Sequence, residues 1–399
     1  MKNKFTLRLF AVNAMYWAAM AFYTPYIGAY YTSYGIPASQ IGILTSVGPI
    51  LSICVQPVWA ALSDRTGRRK LILVGVAALS AGAILLYLTA SSFVMFMVST
   101  IAFMSFQTAL MPLADALVTN IGAREGVKFS TVRMGGTIAF AVVVFILGRI
   151  ITPEKQYILF PACAIVILIF AATVAALPSD SKYAPAIVPV EEKEKEKENE
   201  PKGKIFKTNM IVFVLLIIFI IQFGLGYNTN FFGVYITNLG YSRFIIGVTS
   251  CLSALSELPV LFFADRIINR LGYMKTFLFS AVCVVARMCL AGTGILPVMI
   301  LSTVLQGPSY ILTYYAGVRF INQYAFQDKI SQGQSALSIV QVGLGCVISN
   351  ILGGVMSDKF GIGSTYYIIG IGTLVVAAVF ATVYRIYARN HPEEAKATE

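Results

Sequence analysis

Histidine is all but missing from this chain: the one copy, His391, stands in a polar tail. That excludes an imidazole relay inside the fold, so any internal proton transfer has to use carboxylates. Charge of either sign is also scarce, at 12% of residues, where soluble globular domains carry roughly 25%. A water-soluble fold is thereby excluded. The six cysteines (Cys54, Cys163, Cys251, Cys283, Cys289 and Cys346) all fall in apolar runs, none in an outer loop, so no disulfide framework is expected. No paired metal ligands or nucleophile–base constellation stand out, which argues against an enzyme, a metal centre or an organic cofactor. Neither a re-entrant filter nor a ring-forming charged motif of the kind channels use is present.

What remains is apolar: 57% of residues are hydrophobic and the mean hydropathy is +0.77. Crossing a bilayer takes roughly 20 apolar residues per helix. Twelve runs qualify, near 6–33, 38–62, 70–90, 92–119, 131–150, 156–176, 209–237, 242–268, 275–292, 295–322, 331–357 and 363–387. The predicted fold class is therefore an all-α membrane protein of twelve transmembrane helices. The first run is longer than a signal-peptide core and lacks a convincing cleavage site, so it reads as a retained helix. With the N-terminus inside, 24 of the 30 Lys and Arg fall in cytoplasmic segments, four lie outside (Arg149, Lys155, Arg243, Lys359), and Arg133 and Arg287 are within helices. The positive-inside rule thus predicts both termini in the cytoplasm, in the cell membrane. It also accounts for the net charge of +12 without nucleic acid.

Sliding the chain by 205 residues places Gly28, Tyr30, Thr32, Gly35, Ile41 and Gly42 on Gly233, Tyr235, Thr237, Gly240, Ile246 and Gly247, and Arg65, Gly67 and Lys70 on Arg270, Gly272 and Lys275. One ungapped offset across two helices and two loops indicates a duplicated six-helix unit. The predicted organisation is an N-terminal bundle over 1–180, a charged cytoplasmic linker over 181–208 containing EEKEKEKENE, and a C-terminal bundle over 209–399. The linker's alternating Glu and Lys read as a solvated tether or a short surface helix. Two related bundles around a midplane site is how many secondary transporters alternate access. The expected partners are a small solute, protons and lipid, with the chain acting as a monomer and a proton gradient as driving force.

The loop ALSDRTGRRK, residues 61–70, sets Asp64, Arg65 and Arg68 around a glycine turn, where an acid can cap backbone amides and bridge to a neighbouring helix. These three are candidate gating residues. The loop resembles the signature of the major facilitator superfamily, G-x-L-A-D-R-x-G-R-K, with Ala60 and Ser63 as departures, and GGVMSDKFG at 353–361 is a weaker echo. The resemblance covers the whole chain and implies two pseudo-symmetric six-helix bundles.

Among the acids and bases, four stand inside apolar sequence: Asp115 and Arg133, each nine residues from Arg124, and Glu257 and Arg287, each fifteen from Gly272. An ionisable group inside a membrane costs at least ~2.5 kcal/mol, which makes each a functional hypothesis with a partner to name. Hairpin spacing predicts two separate acid–base pairs, one per half. A buried carboxylate near an arginine can switch between an ionised, paired state and a neutral one, which is what proton coupling requires. A static ion pair that specifies helix packing is the competing reading. MPLADAL, VRMGGTIAF, SELPVLFF, FFADRIINRLGYMK and VVARM resemble the branch of the superfamily that contains lactose permease, the nucleoside–proton symporters and phenylpropionate permease. That resemblance implies ligand binding by Asp115 and Arg133, a stacking face at Phe140, and proton coupling through Glu257 and Arg287, with Asp115 a further coupling candidate. It also places Gln306 and Ser309, which do not titrate usefully, where lactose permease has coupling residues.

Amides and aromatic faces on four helices complete the expected ligand cavity: Asn13, Trp17, Tyr227, Asn228, Gln306, Tyr310 and Gln341. Such groups suit a nucleoside or a saccharide. Import of an aromatic acid with an arginine as counter-ion, and efflux by antiport, are the alternatives.

Overall fold

The computed structural model describes residues 2–127, 129–178, 205–206, 208–326 and 329–393. Twelve helices in it are long and apolar enough to cross a membrane. They are α1 (Phe5–Ser33), α2 (Ala38–Ser63), α3 (Arg69–Leu88), α4 (Phe93–Gly122), α5 (Val132–Ile150), α6 (Pro153–Ala175), α7 (Met210–Asn238), α8 (Arg243–Leu271), α9 (Tyr273–Gly292), α10 (Leu296–Tyr324), α11 (Gln332–Phe360) and α12 (Ile362–Asn390). Each coincides with one apolar run, within a few residues at its ends. Most of the linker lies outside the described residues. Near its end, Ile205 and Phe206 pair with the residues just after α10: Phe206 bridges Ala325 and Phe326 N–H donates to the Ile205 carbonyl at 3.1 Å.

The helices end and bend where local chemistry demands it. Gly67 and Gly272, related by the repeat, close α2 and α8 with φ of 64° and 76°, a region that a Cβ disfavours. Around Pro25 the first helix breaks over 24–26, and the second loses its regular turn at Val55, ahead of Pro57. Pro308 sits in a π-helical turn, Gly307–Ile311, and a second π turn spans Ile339–Leu344.

Within the N-terminal bundle α1 packs on α5 and α6, and α3 on α4 and α6; in the C-terminal bundle α7 packs on α9, α11 and α12, and α8 on α10. Buried hydroxyls in the first bundle satisfy one another, with Tyr87 bonded to Tyr23 and Tyr31 at 3.0 Å each and to Thr100 at 2.7 Å. Large apolar side chains such as Val94, Val282 and Phe262 are exposed along the spans, as a lipid-facing surface requires.

Two of the repeated glycine pairs, Gly28 with Gly233 and Gly42 with Gly247, are where the halves touch. A Cβ on Gly28 would meet the Asn230 carbonyl at 2.9 Å, and one on Gly233 the Pro25 carbonyl at 2.9 Å. One on Gly42 would strike the Asn350 carbonyl, and one on Gly247 the Val144 carbonyl at 2.7 Å. Absent side chains let backbones approach across α1–α7, α2–α11 and α5–α8. The Asp358 carboxylate reinforces this closure by accepting from Ala38 N–H (2.8 Å) and Ser39 N–H (3.0 Å), capping α2 from the other half. These contacts lie at the face opposite the chain termini.

A candidate charge cluster between the two bundles

On the N-terminal side the site is built by two adjacent glycines. Side chains at Gly135 and Gly136 would collide with Phe10 and with Trp17 and Asn13, so their absence seats α1 against α5. Trp17 is thereby brought beneath Arg133, whose guanidinium carbon lies 5.2 Å from the indole centroid. Phe140, two turns along α5, meets Trp17 edge-on at 6.2 Å and 84°, and Tyr16 meets it at 5.5 Å and 89°. Asp115 is within electrostatic range of Arg133, yet the two form no hydrogen bond or ion pair among the described residues. The direct pair expected from hairpin spacing is therefore not made. The arginine lies on an aromatic face instead, an interaction that reaches about 2 kcal/mol when desolvated.

On the C-terminal side the acid and base are joined through a third residue. Arg287, 4% exposed, donates from Nη1 to Gln306 Oε1, and Gln306 Nε2 donates to Glu257 Oε1 at 3.3 Å. The relay depends on close approach of α8 and α10. Gly307 N–H donates to Ser256 Oγ at 3.1 Å, a Cβ there would strike the Ser256 carbonyl, and the π turn begins at this glycine. Single π turns inside α-helices often mark functional sites. Gln306, expected as a ligand contact, is the bridge within the acid–base pair. Arg287 Nε and the buried Tyr366 hydroxyl, in electrostatic range of each other, have no hydrogen-bond partner among the described residues.

The two pairs form one cluster. Glu257 is in electrostatic range of both Arg133 and Arg287, and Tyr310 is in range of Glu257 and Arg133. Arg133 is thus within electrostatic range of an acid of each half. Spacing within each hairpin predicts separate pairs; the packing of α5 on α8 across the interface joins them.

Other expected site residues are placed differently. Asn13, 3% exposed, is buried in the α1–α5 packing with Oδ1 unpartnered. Tyr227 is in the core of the C-terminal bundle, stacked on Phe231 at 4.7 Å with its hydroxyl 2.7 Å from Ser357 Oγ, so a ligand between the halves would not meet it. Asn228 and Gln341 are buried, each with one amide atom unpartnered. Arg65 and Arg68 are exposed at the face bearing the termini and make none of the cross-half bonds described above. The Asp64 side chain lies outside the described residues. Asp358, Ser256 and Tyr366 were not singled out from sequence; the SDKFG echo of SDRTG was the one available pointer, to Asp358. Among the described residues no group of three His, Cys, Asp or Glu could hold a metal.

A family model, the MFS_1 like family, matches residues 6–368. The chain belongs to that family. Maltose permease of Geobacillus stearothermophilus is 27% identical over 341 residues, covering 85% of this chain and 84% of the relative. The probable 3-phenylpropionic acid transporter of Escherichia coli (strain K12) is 21% identical over 268 residues, 67% and 69% of the two chains. The fold matches a crystal structure of the nucleoside transporter NupG with a TM-score of 0.81 at 13% identity, covering 95% of this chain and 99% of that one. It also matches the inward-open xylose transporter XylE from E. coli, with a TM-score of 0.68 at 11% identity, covering 95% and 96%. Identities this low speak to fold alone. As a member of the MFS_1 like family the protein is a multi-pass membrane transporter of the major facilitator fold, not an enzyme.

Proposed function

We propose that the protein is a proton-coupled importer of a small neutral polar solute, a saccharide or nucleoside, in the cell membrane with both termini cytoplasmic. In that orientation the closed face is the outer one, and the conformation is the inward-facing member of an alternating-access cycle. The observation that carries the reading is Arg133, which rests on Trp17 while in range of Asp115 in its own half and Glu257 in the other. A ligand stacked on the Trp17–Phe140 face and hydrogen-bonded to Arg133 and Asp115 would change how Arg133 balances Glu257. Ligand occupancy and the proton on Glu257 would then be linked. Gln306 suits this linkage chemically, since its NH2 can donate to an ionised carboxylate and its carbonyl oxygen can accept from a protonated one. The similarity to maltose permease supports the saccharide side.

Thermal-shift screening of the purified protein against sugars, nucleosides and aromatic acids tests the reading, because ligand at a hundredfold its dissociation constant stabilises by about 2.7 kcal/mol. A sugar or nucleoside hit, followed by concentrative uptake in vesicles driven by an imposed pH gradient, is the expected result. A second reading, uptake of an aromatic acid, is favoured by the lack of an ion-pair partner on Arg133 among the described residues and by the phenylpropionic acid relative. Hits confined to aromatic acids would replace the first reading with this one.

A further inference from the structure

At the closed face the halves leave a groove of about 730 Å³, well away from the central cluster. Of the four bases assigned outside by charge asymmetry, two line it from opposite halves: Arg149 at the end of α5 and Arg243 at the start of α8. Thr152, Thr237, Tyr241 and Ser242 add hydroxyls, and no acid is among the lining residues. Arg243 is 5% exposed. Its Nη2 donates to the Ala29 carbonyl at 3.1 Å, but its Nε and Nη1, buried just beneath the groove lining, have no partner among the described residues. The neighbouring Tyr26 hydroxyl is spent on the Val144 carbonyl at 3.1 Å. Arg149 is held over Phe145 of its own half and Phe244 of the other, 5.4 Å from each ring. Ser242, Arg243 and Phe244 line the groove where α8 begins, so the positive end of that helix is at hand too.

A buried guanidinium with two idle donors, a second arginine and a helix N-terminus, with no acid in the lining, form an incomplete ion site. We propose that this groove binds an oxyanion of the phosphate class, free or as a lipid headgroup. Because Arg149 and Arg243 come from opposite halves, the site exists only while this face is closed. By linkage, its ligand stabilises that conformation over the one in which the face opens.

The test is thermal unfolding of the full-length protein in neutral detergent, titrated with sodium phosphate against sodium chloride at equal ionic strength, and repeated in phosphatidylcholine nanodiscs with and without phosphatidylglycerol. A saturable, phosphate-specific rise in the midpoint is expected. Its apparent affinity should fall about tenfold or more in Arg243→Gln, where charge-assisted bonds are lost, fall less in Arg149→Gln, and stay unchanged in Arg133→Gln, which touches only the central cluster. Hydrogen exchange with phosphate should show protection at 149–152 and 237–245; with the exposed Arg149 variant, this keeps the test decisive if Arg243→Gln fails to fold. A rise with phosphate in detergent and phosphatidylcholine alone assigns a free anion; a rise with phosphatidylglycerol that removes any further phosphate response assigns the headgroup. No specific rise in any arm, or an unchanged rise in both groove variants, overturns the proposal.

Discussion

The two bundles carry the same elements, an acid on one helix and a base on the next, and arrange them differently. In the C-terminal half Arg287 and Glu257 are tied through Gln306 into a buried relay. In the N-terminal half Arg133 is half-buried on Trp17 and makes no direct bond to Asp115 among the described residues. The difference arises from what a third helix supplies: α10 contributes an amide that can both accept and donate, whereas α1 contributes an indole face that can do neither for a carboxylate. A polar bridge locks charges together, and an aromatic face leaves a cation free to be shared. On the proposed function, the C-terminal half would hold the proton site and the N-terminal half would meet the ligand.

The largest expected effect is at the relay's acid. Glu257→Gln should abolish uphill accumulation in vesicles while leaving equilibrative exchange, and full accumulation by this variant would remove Glu257 from coupling. Next is Arg287→Ala, which leaves the relay uncompensated; removing one partner of a buried ionic pair costs about 3–5 kcal/mol, read as thermal unfolding in detergent. Arg133→Ala should leave the fold close to wild type and weaken ligand by roughly 10- to 100-fold, the loss of charged hydrogen bonds worth about 1.5–3 kcal/mol. Comparable destabilisation by the two arginine variants would erase the contrast between the halves. The smallest effect expected is that of Tyr227→Phe: it should cost about 1 kcal/mol through the lost bond to Ser357, with affinity unchanged. A large fall in affinity would return Tyr227 to the ligand site.

Much of this was legible beforehand because membrane physics writes it into composition. The twelve runs had to be helices, since a chain in hydrocarbon must satisfy its backbone internally. The 205-residue repeat carried more than duplication, for two of the glycine pairs it aligned, Gly28 with Gly233 and Gly42 with Gly247, proved to be contacts between halves. The site was legible only in part. Asp115, Arg133, Glu257 and Arg287 were identified by their cost in a membrane, and that cost says nothing of which neighbour offsets it. Tyr227 was read as a ligand contact because polar groups on a membrane helix can face a cavity. Its side chain turns instead into the bundle, where Gly353 leaves room for the ring and Ser357 takes the hydroxyl.

By itself, then, the sequence determined the helices, the duplication, the family and the four intramembrane charges, because each follows from local composition or a linear offset. Only the tertiary structure decided that two pairs are one cluster, that Gln306 is its bridge, that Trp17 carries Arg133, and that Asp358 caps α2 at the closed face. These contacts join residues up to 320 positions apart. Which side chains meet over such separations is set by helix rotation and by the absence of side chains at a few glycines, neither of which has a local signature.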